Sequence, residues 1–223
     1  MPGNISRFHA VLANSSTRIR PAAFDDIPVQ SNTATSPVHE PNTVRSDDFT
    51  FERTLPYEIV LARPRDLPLI PAIELAAAGL LAGHAPSSVL NETTSQFELR
   101  KAQRARRLWV VLAGFEPVGF AHVVVHERGV AHLEEVDVHP DHARRGLGRR
   151  LVQTVCAWAT SHGFDAVTLT TFRHLPWNMP FYAQLGFEAL ATDEVSAALR
   201  SVIDDEMRRG LDPARRVVMR YHA

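Results

Sequence analysis

The segment Arg144-Arg145-Gly146-Leu147-Gly148-Arg149 joins a strand-like run at 130–138 to a long amphipathic helix. The first backbone N–H groups of a helix have no partner inside it and carry a partial positive charge. The two glycines of this turn lack the side chains that would keep an anion away from those N–H groups. Arginines flank both glycines, which is more charge than helix capping requires. The segment therefore predicts a binding site for a diphosphate or polyphosphate.

Two common nucleotide-binding motifs do not fit this turn. A Walker A loop requires Gly-Lys-Ser/Thr, which the turn lacks. A dinucleotide-binding fold requires G-x-G-x-x-G after the first strand of a βαβ unit. Here the spacing is G-x-G after a fourth predicted strand, and Leu151 stands where the third glycine would be. The turn therefore belongs to a different kind of phosphate-binding fold.

The pattern around the turn predicts an α/β fold. Predicted strands cover 57–62, 109–113, 118–126, 130–138, 166–171, 187–190 and 216–221. Predicted helices run from Asp66 to about residue 81, over 92–107, from Leu147 to Gly163, and over 178–185 and 195–209. Short turns between the early strands favour antiparallel pairing, whereas the helix beginning at Leu147 connects a parallel pair. We expect a mixed, mainly antiparallel sheet flanked by helices.

Composition limits the environment and the domain plan. Residues 1–54 are rich in Ser, Thr, Asn and Pro without an apolar period, which predicts a disordered N-terminal extension before a domain at 55–223. The formal net charge of −1 gives no field that would draw the protein toward nucleic acid or a membrane. The single cysteine, Cys156, excludes an internal disulfide and a cysteine-based zinc site. No apolar run approaches the ~20 residues of a spanning helix. We expect a cytoplasmic protein with no nucleic-acid or membrane partner. The sequence leaves open whether the protein forms a homodimer.

At Gly146-Leu147-Gly148 and Phe181-Tyr182-Ala183-Gln184-Leu185-Gly186-Phe187 the sequence resembles the GNAT superfamily of acyl-CoA-dependent N-acetyltransferases. Its signature is Q/R-x-x-G-x-G/A before the long helix, followed by F/L-Y-x-x-x-G-F. The resemblance covers roughly residues 57–222. It departs from the signature at Ala143, where the family has Gln or Arg, and in the loop 174–180, because the usual asparagine of the family lies further upstream.

The resemblance implies a splayed parallel strand pair that holds acetyl-CoA as cosubstrate. The pyrophosphate is then expected on the N–H groups of residues 144–149, and the pantetheine arm on the backbone of Val136 and Val138. Asn178 either replaces the family's asparagine or caps a short helix, with the cap slightly favoured. The implied cofactor-binding residues are Val136, Val138, Arg144, Arg145, Gly146, Leu147, Gly148, Arg149 and Asn178.

The resemblance also suggests the catalytic groups. Tyr182 matches the family's usual general acid, with a plain packing role as the alternative, and its ionisation is expected to set the basic limb of a pH–rate profile. His132 and Glu134 match positions where similar proteins carry the base. Strand alternation places both on one face together with Val136 and Val138. Glu135 takes the role of Glu134 if a β-bulge shifts the alternation by one residue.

These features predict an N-acetyltransferase in which a primary amine attacks acetyl-CoA directly, with acid and base assistance. The alternative is a catalytically silent acyl-CoA-binding or sensing module. The acceptor stays open between small-molecule amines and peptide or protein amines. The 11 histidines show no metal-ligand spacing on a helix and no cysteine cluster, so no metal is expected.

Overall fold

A computed structural model describes residues 57–223, and the extension predicted over 1–54 lies outside the described residues. The strands are β1 Tyr57–Leu61, β2 Leu108–Ala113, β3 Glu116–Glu127, β4 Val130–Val138, β5 Ala166–Phe172, β6 Glu188–Ala189 and β7 Arg216–His222. The helices are α1 Ile70–Ala78, α2 Ser87–Leu90, α3 Gln96–Arg104, α4 Leu147–Ser161, α5 Met179–Ala183 and α6 Ala197–Arg208.

The strands form one seven-stranded sheet in the order β1-β2-β3-β4-β5-β7-β6. All neighbouring strands run antiparallel except β4 and β5, which form the parallel pair expected around the long helix. The mixed sheet flanked by helices confirms the predicted fold class. The parallel pair creates the place where the sheet opens.

The long helix α4 covers one face of the sheet. Its apolar stripe includes Leu147, Leu151 and Val155, which pack in the main core together with Leu133 and Val136 of β4. Gly163 follows the helix with a φ of 72°, a conformation that favours glycine and ends the helix as predicted. This packing of α4 fixes the predicted phosphate-binding turn against the centre of the sheet.

No helix within residues 57–223 is long and apolar enough to span a bilayer.

Two helix predictions are wrong at their ends. The helix expected from Asp66 begins at Ile70 instead, after a 3₁₀ turn. The Asp66 carboxylate does not cap it, because Asp66 accepts hydrogen bonds from the backbone and guanidinium of Arg63. The helix expected over 92–107 is α3, which starts after Ser95, whose side chain accepts from the Glu98 N–H. A local ion pair and a serine cap thus decide where these helices start.

Candidate active site

The strands β4 and β5 separate shortly after they begin. Their pairing is confined to residues 130–132 of β4 and 166–168 of β5. Beyond that point β4 pairs with β3 alone, and β5 pairs with β7. Because a sheet strand with one free edge has unpaired N–H and C=O groups, the gap offers a backbone edge to an extended ligand.

The backbone of Val136 and Val138 faces this gap. The N–H of His139 donates to the Val118 carbonyl on β3 at 2.8 Å. Successive residues of a strand direct their N–H and C=O groups to opposite edges. Val138 and Val136 therefore direct theirs away from β3 and toward the gap. This arrangement fits the amide groups of a pantetheine arm.

The turn before α4 leaves the start of the helix open. Gly146 is the N-cap residue with a φ of 73°, it offers no side-chain cap, and the first turn of α4 contains no acidic residue. Arg150 makes the first hydrogen bond of the helix, to the Gly146 carbonyl. The N–H groups of Leu147, Gly148 and Arg149 precede that bond. An uncapped helix start of this kind suits an anion such as a pyrophosphate.

The arginines around the turn divide into two groups. Arg149 donates to the side chain of Gln184, which directly follows α5, at 3.2 Å, and Arg150 donates to the Tyr57 carbonyl at 3.2 Å. Arg144 and Arg145 are exposed, and the Arg145 guanidinium lies 5.7 Å from the centre of the Tyr57 ring. Arg144 and Arg145 are therefore the arginines best available to phosphate groups. Ala143, in contrast, supplies no polar side chain at this turn.

Asn178 does not cap the short helix α5 with its side chain, so the favoured capping role is wrong. The residue is fully buried, and its Nδ2 donates to Thr171 Oγ1 on β5 at 3.0 Å. That bond turns the amide toward the strand instead of the helix N–H groups. Within residues 57–223, Asn178 Oδ1 has no hydrogen-bond partner. A buried acceptor of this kind near the end of β5 fits a ligand amide N–H.

Tyr182 is fully buried in α5 and packs between Phe181 and Phe187. Its hydroxyl has no hydrogen-bond partner within the described part of the chain. Burial raises the pKa of the phenol well above its usual range, and the nearby carboxylate of Asp137 raises it further. The phenol therefore stays protonated at physiological pH. It retains a proton that it can donate.

A β-bulge at Glu134 changes the alternation of side chains along β4. His122 of β3 pairs with Glu135, and Val123 pairs with Leu133, so Glu134 is an extra residue in the ladder. The predicted face containing His132, Glu134, Val136 and Val138 is therefore wrong. Val136 and Val138 pack with Leu133 in the core beneath α4. A bulge of this kind redirects side chains.

His132 and Glu134 nevertheless lie close together. His126, His132 and Glu134 each offer one atom that could ligate a metal ion, and these three atoms lie within 4.8 Å of one another. Glu134 Oε2 is 3.9 Å from His126 Nε2. His132 Nδ1 contacts Thr168 Oγ1 at 2.9 Å. His126 was missed because its contact with His132 depends on the pairing of β3 with β4. The expectation that no metal binds stays a prediction for this group.

Comparison with known proteins identifies the fold. A family model described as "Acetyltransferase (GNAT) family" matches residues 80–187, which include the open strand pair, the phosphate-binding turn and α5. The matched region is a GNAT acetyltransferase domain. The resemblance seen in the two sequence motifs is thereby confirmed.

Individual relatives of this GNAT chain are distant. A glucosamine 6-phosphate N-acetyltransferase from Trypanosoma brucei brucei is 37% identical over 62 residues, which span 28% of this chain and 40% of that relative. The PaiA N-acetyltransferase of Thermoplasma acidophilum, in complex with coenzyme A, is 16% identical with a TM-score of 0.59 over 75% of this chain and 99% of that one. The N-acetylglutamate synthase of Neisseria gonorrhoeae, with coenzyme A and N-acetyl-glutamate, is 17% identical with a TM-score of 0.57 over 74% and 35%. These structures share the fold.

The bulge of the GNAT sheet also brings buried carboxylates together. Thr94 donates through its N–H to Glu74 Oε2 at 2.9 Å, and its hydroxyl contacts Glu74 and Glu135. Burial raises the pKa of Glu135 well above its usual range, and the carboxylates of Glu74 and Asp137 raise it further. Glu74 and Thr94 carry no motif, so the sequence did not indicate them. Glu135 is thus a buried carboxyl group on β4 that holds its proton more tightly than an ordinary glutamate does.

We expect Glu135→Gln to make stability less dependent on pH. The folded chain holds the Glu135 proton more tightly than the unfolded chain does. The stabilisation from this proton is therefore complete below the ordinary glutamate pKa and is lost as pH rises through the raised pKa. Glutamine does not ionise, so the melting temperature of the variant, relative to that of the wild type, should be higher at pH 8 than at pH 5. Each kcal/mol of unfolding free energy that the wild type loses over this range corresponds to about 2–4 °C. Thermal unfolding at both pH values measures this difference.

The control for this experiment is Glu116→Gln, at an exposed position at the start of β3. This variant removes a carboxylate that is already exposed to solvent. Its melting temperature should therefore differ from that of the wild type by the same small amount at both pH values. A Glu135→Gln variant whose difference from the wild type is equal at pH 5 and pH 8 would show that Glu135 is ionised in the folded chain.

Proposed function

We propose that this chain transfers an acetyl group from acetyl-CoA to a primary amine by direct attack of the amine on the thioester. The observation that carries the proposal is the separation of β4 from β5 directly before an uncapped α4. The gap suits the pantetheine arm, and the helix start suits the pyrophosphate. Together they bring the thioester to the region where β4 and β5 diverge.

In this proposal the cosubstrate is held by backbone groups more than by side chains. The N–H and C=O groups of Val136 and Val138 pair with the pantetheine amides, and Asn178 Oδ1 accepts a further N–H. The N–H groups of residues 144–149 bind the pyrophosphate, with Arg144 and Arg145 adding charge. This division explains how Ala143 is tolerated, since the main chain supplies most of the hydrogen bonds.

Tyr182 acts as the general acid in this proposal. The attack of the amine forms a C–N bond and breaks the C–S bond, and the departing thiolate takes the phenolic proton. Because burial keeps the phenol protonated, its proton is present when the thiolate forms beside it. Supply of a proton at this step typically accelerates a reaction by ~10²–10⁴-fold.

A base on β4 removes the proton from the amine. Glu134 is the first candidate and His132 the second, and the 3.9 Å contact between Glu134 and His126 offers a route for the proton away from the acceptor. Glu135 is the further candidate that the bulge brings in, because the bulge shifts the alternation by one residue and burial raises the pKa of Glu135. All three lie on or beside the bulge, where the sheet pairing is interrupted.

We expect Glu134→Gln to lower the rate most at low pH, by about tenfold. Little free amine is present there, so loss of the base is felt most, and the effect shrinks as pH approaches the pKa of the amine. Rates of thiol release between pH 6 and pH 9 measure this trend. Glu135→Gln is the matched variant, because it removes the neighbouring carboxyl group. If Glu135→Gln loses the acidic limb and Glu134→Gln keeps it, the base is Glu135.

Incubation of the purified chain with acetyl-CoA and a panel of amines tests the proposed function, with free thiol as readout. The panel should include glucosamine 6-phosphate and glutamate, in view of the named relatives, together with polyamines, peptides and a lysine-rich protein. Thiol release that depends on the amine supports the enzyme. Saturable binding of coenzyme A without thiol release on any amine would make the chain a silent acyl-CoA-binding module.

A further inference from the structure

A cavity of about 200 Å³ lies between β5, β7 and α6. Three arginines line it: Arg173 directly after β5, Arg200 on α6, and Arg216 at the start of β7. No acidic residue of the described chain lines it. A concave surface with charges of one sign concentrates ions of the opposite sign. The cavity, called the arginine cavity below, therefore favours an anion.

Arg216 is fixed in the wall of the arginine cavity. It is 5% exposed, and its Nε and Nη2 donate to Glu206 at 3.0 and 2.7 Å. Nη2 also donates to Thr170 Oγ1 at 3.0 Å, and the guanidinium carbon lies 4.6 Å from the centre of the Phe172 ring. Nη1 has no hydrogen-bond partner within residues 57–223. Because buried donors are nearly always paired in folded proteins, this one points to a ligand.

The other two arginines supply the positive charge. Glu206 balances the charge of Arg216. Arg173 and Arg200 are exposed and form no salt bridge with another residue of the described chain. Their charges are therefore left for an anion, and a planar guanidinium matches a carboxylate through paired hydrogen bonds.

The remaining wall of the arginine cavity is apolar. Leu190, Val195 and Ile203 line it and belong to one hydrophobic cluster. A polyphosphate would leave this wall unmatched, whereas a carboxylate with a short branched chain covers it. The volume suits a molecule of a few heavy atoms more closely than a nucleotide.

The arginine cavity adjoins the face of the sheet that carries the proposed base. Thr170 lines it and lies two residues along β5 from Thr168, which contacts His132. Residues two apart on a strand share a face at about 7 Å. We propose that the arginine cavity is a binding site for a small carboxylate that carries a branched apolar chain.

Calorimetry on the full chain with 4-methylpentanoate tests the site, with 4-methylpentan-1-ol as the neutral probe of the same shape. We expect saturable one-to-one binding of the carboxylate and none of the alcohol. The double variant Arg173→Gln/Arg200→Gln should weaken binding by about tenfold or more, because charge-assisted hydrogen bonds are lost. Both side chains are exposed, so the fold should survive.

Arg208→Gln is the matched control, since Arg208 lies on the same helix but does not line the arginine cavity. It should bind 4-methylpentanoate as the wild type does. Absence of carboxylate binding, equal binding of the alcohol, or wild-type affinity in the double variant would each overturn the proposal.

A second arm distinguishes the two sources of the carboxylate, and it rests on the proposed acetyl transfer. Leucine and 3-methylbutan-1-amine differ only in the carboxylate. A lower KM for leucine that the double variant abolishes would assign the arginine cavity to the acceptor. Binding of 4-methylpentanoate without such a preference would assign it to a separate effector. Both outcomes support the carboxylate site, and because calorimetry requires no catalysis, its failure is distinguishable from failure of the proposed function.

Discussion

Gly148→Glu is expected to lower the affinity for coenzyme A by about a hundredfold or more. Gly148 is buried in the first turn of α4, beside the N–H groups proposed to bind the pyrophosphate. A glutamate there places a side chain and a negative charge where two phosphate charges must lie. The loss combines two or more charge-assisted hydrogen bonds with direct repulsion. Isothermal titration with coenzyme A measures the affinity.

The matched variant is Gly148→Gln, which has the same bulk without the charge. We expect the affinity to fall in the order Gly, Gln, Glu, so that the difference between the last two isolates the electrostatic part. Thermal unfolding of each variant shows that the fold is retained. A folded Gly148→Glu protein with unchanged affinity for coenzyme A would mean that the pyrophosphate binds elsewhere.

Tyr182→Phe is expected to lower kcat by about tenfold or more, with little change in stability or in coenzyme A affinity. The hydroxyl has no hydrogen-bond partner within residues 57–223, so its removal breaks no bond in the unliganded chain. The ring keeps its packing between Phe181 and Phe187. The departing thiolate, in contrast, loses its proton donor. Single-turnover and steady-state thiol release with a good acceptor measure the effect.

Tyr221→Phe is the matched control because it removes a phenolic hydroxyl from β7, where the ring packs on Phe187. It should retain the wild-type kcat. If Tyr182→Phe retains it as well, the thiolate leaves without an acid, and positioning of the amine carries the rate enhancement.

The structure corrects one expectation about Tyr182. Its ionisation was expected to set the basic limb of the pH–rate profile. Burial raises the pKa of this phenol far above the usual value of about 10. We therefore expect any basic limb set by Tyr182 to lie at a higher pH than that of a free phenol.

The fold was predictable because its signals are local. The strand expected over 130–138 matches β4, and the glycine at 163 ends α4 as expected. The alternation of apolar residues that predicts a strand, and the glycine that ends a helix, can both be recognised from a few neighbouring residues. Helix starts were harder to predict because Asp66 binds Arg63 instead of acting as a cap.

The candidate site was predictable where a short motif fixes the backbone. It was not predictable where pairing between strands that are distant in the sequence determines the direction of the side chains. The turn at Gly146 and the position of Tyr182 follow from short motifs. The bulge at Glu134 depends on the register of β4 against β3, so strand alternation assigned Val136 and Val138 to the wrong face. The same dependence concealed the contact between His126 and His132, whose rings meet only after the hairpin forms.

A crystal structure of the chain with coenzyme A would locate the cosubstrate on the sheet. We expect the pantetheine arm to lie between β4 and β5 and to pair with the backbone of Val136 and Val138. The pyrophosphate should lie on the N–H groups at the start of α4, and the sulfur should lie about 3–4 Å from the Tyr182 hydroxyl. Coenzyme A bound outside this gap, or a sulfur beyond the reach of Tyr182, would contradict the account.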